Sequence, residues 1–146
     1  MAIDMLVVGL RTAKDNVTGL QAGASNLSNR TAGIQIGMMG MTEDLSGIQL
    51  HAVNAATTGK GLQFGAVNLA THFEGMQAGL VNVMMLDDQD NSEFYGVQIG
   101  LINYGPAYGR YLQLGLVNLG DHYGRSDTKG FPFVRYCNKK KEKEEK

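Results

Sequence analysis

Apolar and polar positions in this chain alternate inside a short phrase that is written again and again around a glutamine. Gln21, Gln35, Gln49, Gln63 and Gln77 follow one another at 14 residues, Gln98 comes after 21, and Gln113 after a further 15. The phrase reads G-φ-Q-φ-G-φ-φ-N-φ, with φ apolar, and its clearest copies run from Gly61 to Leu69 and from Gly96 to Tyr104. A degenerate copy opens the chain, with Val7 in the Gln position and Gly9 after it. A fixed period of this length is the mark of a repeat architecture.

Within each copy the apolar residues flank the Gln, as Ile34 and Ile36, Ile48 and Leu50, or Leu62 and Phe64. Strict alternation is the period of a β-strand, and it places Gln and the two Gly on the face opposite the apolar one. After the second Gly the phase slips: Val53/Ala55, Val67/Leu69, Val81/Val83 and Val117/Leu119 are apolar on either side of an Asn. The slip predicts a bend at the Gly and a second short strand beyond it. The connecting segments, such as Thr42-Glu43-Asp44-Leu45, are polar and turn-like.

The pattern predicts an all-β fold, a β-solenoid of about eight 14-residue coils with one loop insertion and a C-terminal cap. A small up-and-down β-barrel with one strand per unit is the alternative, since the strand number suits this length. Odd and even units look alike, whereas antiparallel neighbours would occupy alternating environments, and this favours parallel coils. Parallel stacking sets amide on amide, so Gln21, Gln35, Gln49, Gln63, Gln77, Gln98 and Gln113 form one expected ladder. Asn26, Asn54, Asn68, Asn82, Asn103 and Asn118 form a second. Ile36, Leu50, Phe64, Ile99 and Leu114 are the expected buried stripe, with the Gln side chains turned to solvent.

One domain is expected over residues 1–136, with repeats at about 5–120, a cap at 121–136 and a charged tail at 137–146. The cap is the aromatic segment Phe131-Pro132-Phe133-Val134-Arg135-Tyr136. The longer spacing before Gln98 places a protruding loop within Met84 to Phe94. The N-terminal end, Met1 to Leu10, has no comparable cover and predicts self-association there.

The chain's 146 residues include 20 Gly and 2 Pro, and the formal charge is −1. Five Lys and three Glu in the last ten residues leave the body at about −3, which offers no footprint for nucleic acid. The lone Cys137 excludes an internal disulfide framework. The opening residues lack a basic stretch followed by an apolar one, so no signal peptide is expected, and no apolar run approaches the length of a spanning helix.

Candidate chemistry is sparse. His51 replaces the second Gly of its unit, and His72 and His122 share one position in their connecting segments, too far apart to converge on a metal. Asp87, Asp88, Asp90 and Glu93 in the insert are weak metal candidates, but the Gly and Glu that an EF-hand loop needs are missing. Gly33-x-x-x-Gly37 is followed by no Lys-Ser/Thr, and no Ser has a partnered His and acid. Neither catalysis nor a cofactor is expected.

The phrase resembles the tandem GLQIGLVN-type units of bacterial surface-repeat proteins, carried here by Gly61 to Asn68, Gly75 to Asn82, Gly96 to Asn103 and Leu112 to Asn118. The resemblance implies a non-catalytic scaffold at the bacterial cell surface or secreted, and it brings no catalytic residues to transfer. Together these readings predict a scaffold that acts through surface or self-association contacts, with itself or another protein as partner. A small membrane-associated barrel and a ligand binder using the acidic insert are the alternatives.

Overall fold

Gly61 shows how the chain turns back on itself at a fixed interval. Its φ is 138°, a left-handed value that side-chain-bearing residues rarely adopt, and glycines hold the same conformation at 19, 33, 47, 75, 96 and 109. A Cβ on Gly61 would fall 1.9 Å from the carbonyl oxygen of Gly47, one coil below, so only hydrogen fits between the stacked backbones.

The computed structural model describes residues 6–85, 92–122 and 125–139. Eight strands follow one another: β1 (Leu6–Val8), β2 (Arg11–Phe64), β3 (Val67–Ala78), β4 (Val81–Met84), β5 (Glu93–Ile99), β6 (Ile102–Gly105), β7 (Tyr108–His122) and β8 (Arg125–Lys139). β2 is 54 residues long because several coils bend without breaking their ladder. Every pairing from β1 to β7 is parallel and in the register of the repeat: Val7 lies on Gln21, Gln63 on Gln77, Gln77 on Gln98 and Gln98 on Gln113. The Asn positions pair in the same way, Asn54 on Asn68, Asn82 on Asn103 and Asn103 on Asn118. The fold is a parallel β-solenoid, and this register excludes the up-and-down barrel.

β8 reverses direction and runs antiparallel along β7, from Gly109↔Lys139 to His122↔Arg125. It follows the bend of the last coil: Phe133 faces Gly115 and takes a φ of 67°, and the register shifts between Gly115 and Asn118. The strand extends to Lys139 and so takes in the first three residues of the expected tail, 137–139.

The expected inside and outside are reversed. Ile36, Leu50 and Ile99 are 42 %, 37 % and 42 % exposed and point outward, and Phe64 and Leu114 are only half-buried. Gln21, Gln35, Gln49, Gln63, Gln77, Gln98 and Gln113 are all 0 % exposed. The physical reason is the width of the coil. A 14-residue turn encloses a narrow interior in which Gly backbones nearly touch, and a flat amide that bonds to its own copy above and below fills that space. Among the described residues, apolar packing occupies one side of the interior, where Leu45, Ala56, Ala70, Phe73, Met84, Phe94 and Tyr111 cluster. Phe94 bridges this row, its ring centroid 6.4 Å from that of Phe73 and 5.4 Å from that of Tyr111.

Candidate functional site

Each Gln from Gln35 onward donates from Nε2 to Oε1 of the Gln one coil before it. The distances are 2.7 Å for Gln35 to Gln21 and 2.8 Å for Gln49 to Gln35, Gln63 to Gln49 and Gln77 to Gln63. Gln98 to Gln77 follows at 2.8 Å and Gln113 to Gln98 at 2.7 Å. The Asn column runs the other way. Asn54 Nδ2 donates forward to Asn68 Oδ1 at 2.8 Å, Asn68 to Asn82 and Asn82 to Asn103 at 2.7 Å, and Asn103 to Asn118 at 2.8 Å. The second amide hydrogen of each Asn from Asn26 to Asn103 goes to a main-chain carbonyl of the next coil, as from Asn68 to Ala78 at 3.0 Å, which ties down the backbone beside the bend.

The two one-way chains meet at the N-terminal end of the stack, and the Gln column is closed by an arginine at the other. At the N-terminal end the Thr12 hydroxyl accepts from Gln21 Nε2 at 2.7 Å and donates to Asn26 Oδ1 at 2.6 Å, so the direction of donation turns round on a single oxygen. At the C-terminal end Arg135 of β8 occupies the Gln column, paired with Gln113. Its guanidinium donates to Gln113 Oε1 at 3.0 Å and to the Tyr111 hydroxyl at 2.7 Å, and lies 5.4 Å from the centroid of the Tyr111 ring. The Tyr111 hydroxyl in turn donates to the Pro106 carbonyl at 2.6 Å, and burial pushes its pKa up. Among the described residues every buried side-chain nitrogen and oxygen has a partner. A polar interior is affordable only on that condition.

His51 closes the one gap in the Asn column. At that level the chain has Gly40, and the His51 ring fills the space a side chain there would take: a Cβ on Gly40 would fall 2.3 Å from the imidazole. His51 is 3 % exposed, its Nε2 2.8 Å from Asn26 Nδ2 and its Nδ1 2.8 Å from Asn54 Oδ1. Asn26 also donates to the Ile36 carbonyl at 2.9 Å, which fixes its amide group, so Nε2 of His51 is the acceptor and Nδ1–H the donor. That neutral tautomer passes the chain of donation from Asn26 on to Asn54. Desolvation lowers the His51 pKa below its ordinary value, partly offset by the bond to Asn54.

The other sequence candidates do not assemble into a site. Asp87, Asp88 and Asp90 lie outside the described residues. Glu93 begins β5 and accepts from the Tyr95 hydroxyl at 3.3 Å. His72 stands in β3 and His122 at the end of β7. Among the described residues no three His, Cys, Asp or Glu come together. A cleft of about 280 Å³ opens among three successive connecting segments, lined by Val17, Thr31, Ala32 and Leu45 among others, and its two charged side chains, Arg30 and Asp44, pair with each other at 3.3 Å.

What sequence reasoning missed is the outer surface. The seven octets 20–27, 34–41, 48–55, 62–69, 76–83, 97–104 and 112–119 contain no Lys, Arg, Asp or Glu at all. Their outward positions carry Met38 at 69 % exposure, Leu116 at 59 %, Leu80 at 55 % and Leu101 at 49 %. Stacked in register, they make a continuous apolar belt along one side of the solenoid. β8 extends it, with Tyr136 beside Leu112 and Val134 beside Leu114. The signal was present in the sequence as the restriction of every charge to the connecting segments. Comparison with known proteins finds no family model, no curated protein and no solved structure that matches this chain.

Proposed function

We propose that this protein is a non-catalytic interaction scaffold whose working surface is the apolar belt. The charge-free octets carry this reading. Soluble monomers rarely expose contiguous apolar patches beyond a few hundred Å², and larger ones mark contact sites. The interior supplies the rigidity: two amide columns and the parallel backbone ladders hold the outward side chains at a fixed spacing of about 4.8 Å along the stack. Of the titratable side chains held in the interior, His51 has both ring nitrogens engaged by Asn26 and Asn54, and the Tyr111 hydroxyl is engaged by Arg135 and the Pro106 carbonyl. The resemblance to surface-repeat proteins points the same way, toward a scaffold of the bacterial surface.

Peptide-mapped oxidation by dilute peroxide tests the reading through Met38, Met39 and Met41, all on the belt. In dilute protein the three should oxidise as exposed methionines do. Raising the protein concentration, or adding phosphatidylcholine vesicles, should protect them while the interior Met84 stays slow throughout. Full reactivity of all three under every condition would show that nothing covers the belt and would overturn the proposal.

A further inference from the structure

We infer that the occupant of the belt is a second copy of this chain, joined antiparallel about a two-fold axis perpendicular to the stack and centred near Ala66; the inference rests on the belt's being a contact surface. Three observations carry it. The first is size. The exposed parts of the large apolar side chains on the belt come to on the order of 1,000 Å², and a stable interface of standard size takes about 800 Å² from each partner.

The second is period. The belt is corrugated at the strand spacing, one ridge per coil, and it has almost no hydrogen-bonding side chains to specify a partner of another shape. A copy of the same solenoid carries the same period and interdigitates with it ridge into groove.

The third is the gradient of side-chain size along the columns. At the third position after each Gln, Ala24, Ala52 and Ala66 stand in the N-terminal part, and Leu80, Leu101 and Leu116 in the C-terminal part, with Met38 the exception. A two-fold perpendicular to the stack lays each column on its own reverse. Ala24 then faces Leu116, Ala52 faces Leu80, and Ala66 meets Ala66. One column over, Ala22 faces Leu114 and Leu50 faces Ala78, while Met38 on Leu101, Ile36 on Ile99 and Phe64 on itself set large on large. At the four unequal pairs large meets small, the arrangement that fills an interface without voids. A parallel pairing gives up this match, because the stacks then run large end to large end. A bilayer is the less suited occupant: the charges flanking the belt are of both signs and partly paired, as Lys60 with Glu74 at 2.9 Å, whereas elements that bind membrane surfaces are flanked by basic excess.

Sedimentation velocity on the full chain over a wide concentration range should show a monomer–dimer equilibrium. Leu101→Lys, an outward substitution, should keep the fold by circular dichroism and weaken dimerisation on the order of a hundredfold or more, since it buries a charge in both copies. A nitroxide at Asn29, placed through Asn29→Cys in a Cys137→Ser background, reads the orientation from outside the belt. The antiparallel dimer puts its two labels near opposite ends, about 29 Å apart along the stack, or six strand spacings; a parallel one puts them level. A monomer at every concentration, a dimer indifferent to Leu101→Lys, or level labels would each overturn the inference. Protection of Met38 by phosphatidylcholine vesicles alone, with co-flotation of a monomer, would make lipid the occupant and leave the contact-surface reading standing. A monomer with Met38 reactive throughout would remove both.

Discussion

The two amide columns perform the same task with different tolerance of irregularity. The Gln column is unbroken from Gln21 to Gln113, and each later member donates to the coil before it. The Asn column loses a member at Gly40 and is mended by a residue of another type arriving from another position, His51. A column therefore requires a planar group that accepts on one side and donates on the other, and the residue that provides it is secondary. Carboxylates only accept and ammonium groups only donate, so neither suits an interior link, whereas a neutral imidazole does both.

The largest effect should come from breaking the Gln column in the middle. Gln63→Leu keeps the volume but strips Gln49 Oε1 of its donor and Gln77 Nε2 of its acceptor. With each buried orphan costing about 1–3 kcal/mol, the variant should lose about 2–6 kcal/mol in a urea titration. A loss below about 1 kcal/mol would mean that the amides are not buried as described.

The mended level gives a sharper test. His51→Gly leaves Asn26 and Asn54 without their partner, and Gly40→Asn alone drives a side chain into the imidazole, so each should destabilise by about 2–4 kcal/mol. Together they rebuild a regular rung, and the double-mutant cycle should return a favourable coupling of about 1–3 kcal/mol. Additive losses would show that His51 does not stand in for the missing Asn.

Acid should distinguish the columns as well. His51 is held neutral in the fold, with its pKa lowered from 6.5 chiefly by desolvation. Between that lowered value and 6.5 the unfolded chain binds more protons than the folded one, so stability is full above the unfolded value and falls as the pH drops through the window. Wild-type protein should lose stability there, measured by thermal unfolding at stepped pH, and the His51→Gly/Gly40→Asn protein should lose less of it. Equal losses would place the acid sensitivity elsewhere.

The smallest effect belongs outside. Ile99 is 42 % exposed, so Ile99→Ala should cost the isolated monomer no more than about 1 kcal/mol. A loss as large as that of Gln63→Leu would restore the apolar stripe as the core.

The stack, its parallel register and the bend after the second Gly were legible because they follow from period and phase alone. Which face turns inward was not, because alternation defines two faces without ranking them, and the ordinary rule of apolar inside fails in a coil too narrow to obey it. The variation among the repeats held the answer. The position after the Gln changes from Ala22 to Phe64, a swing in volume that a packed interior does not absorb, while the Gln itself never varies across the seven copies. The role of His51 was illegible for another reason. It depends on Gly40, 11 positions earlier in the sequence and one coil below in space, and only the stack brings the two together.

Because every coil beyond the one that holds His51 hands on the same two bonds that it receives, no such level carries an address in its interior. A unit duplicated there would slot between two others with both columns intact, and a unit deleted would close up without a seam. The existing irregularities mark where such copying errors are admitted: the extra residues of the 21- and 15-residue spacings fall between Asn82 and Gln98 and between Asn103 and Gln113, always in a connecting segment and never within an octet. The molecule is in this sense a ruler, able to change length in steps of one strand spacing without any change of cross-section.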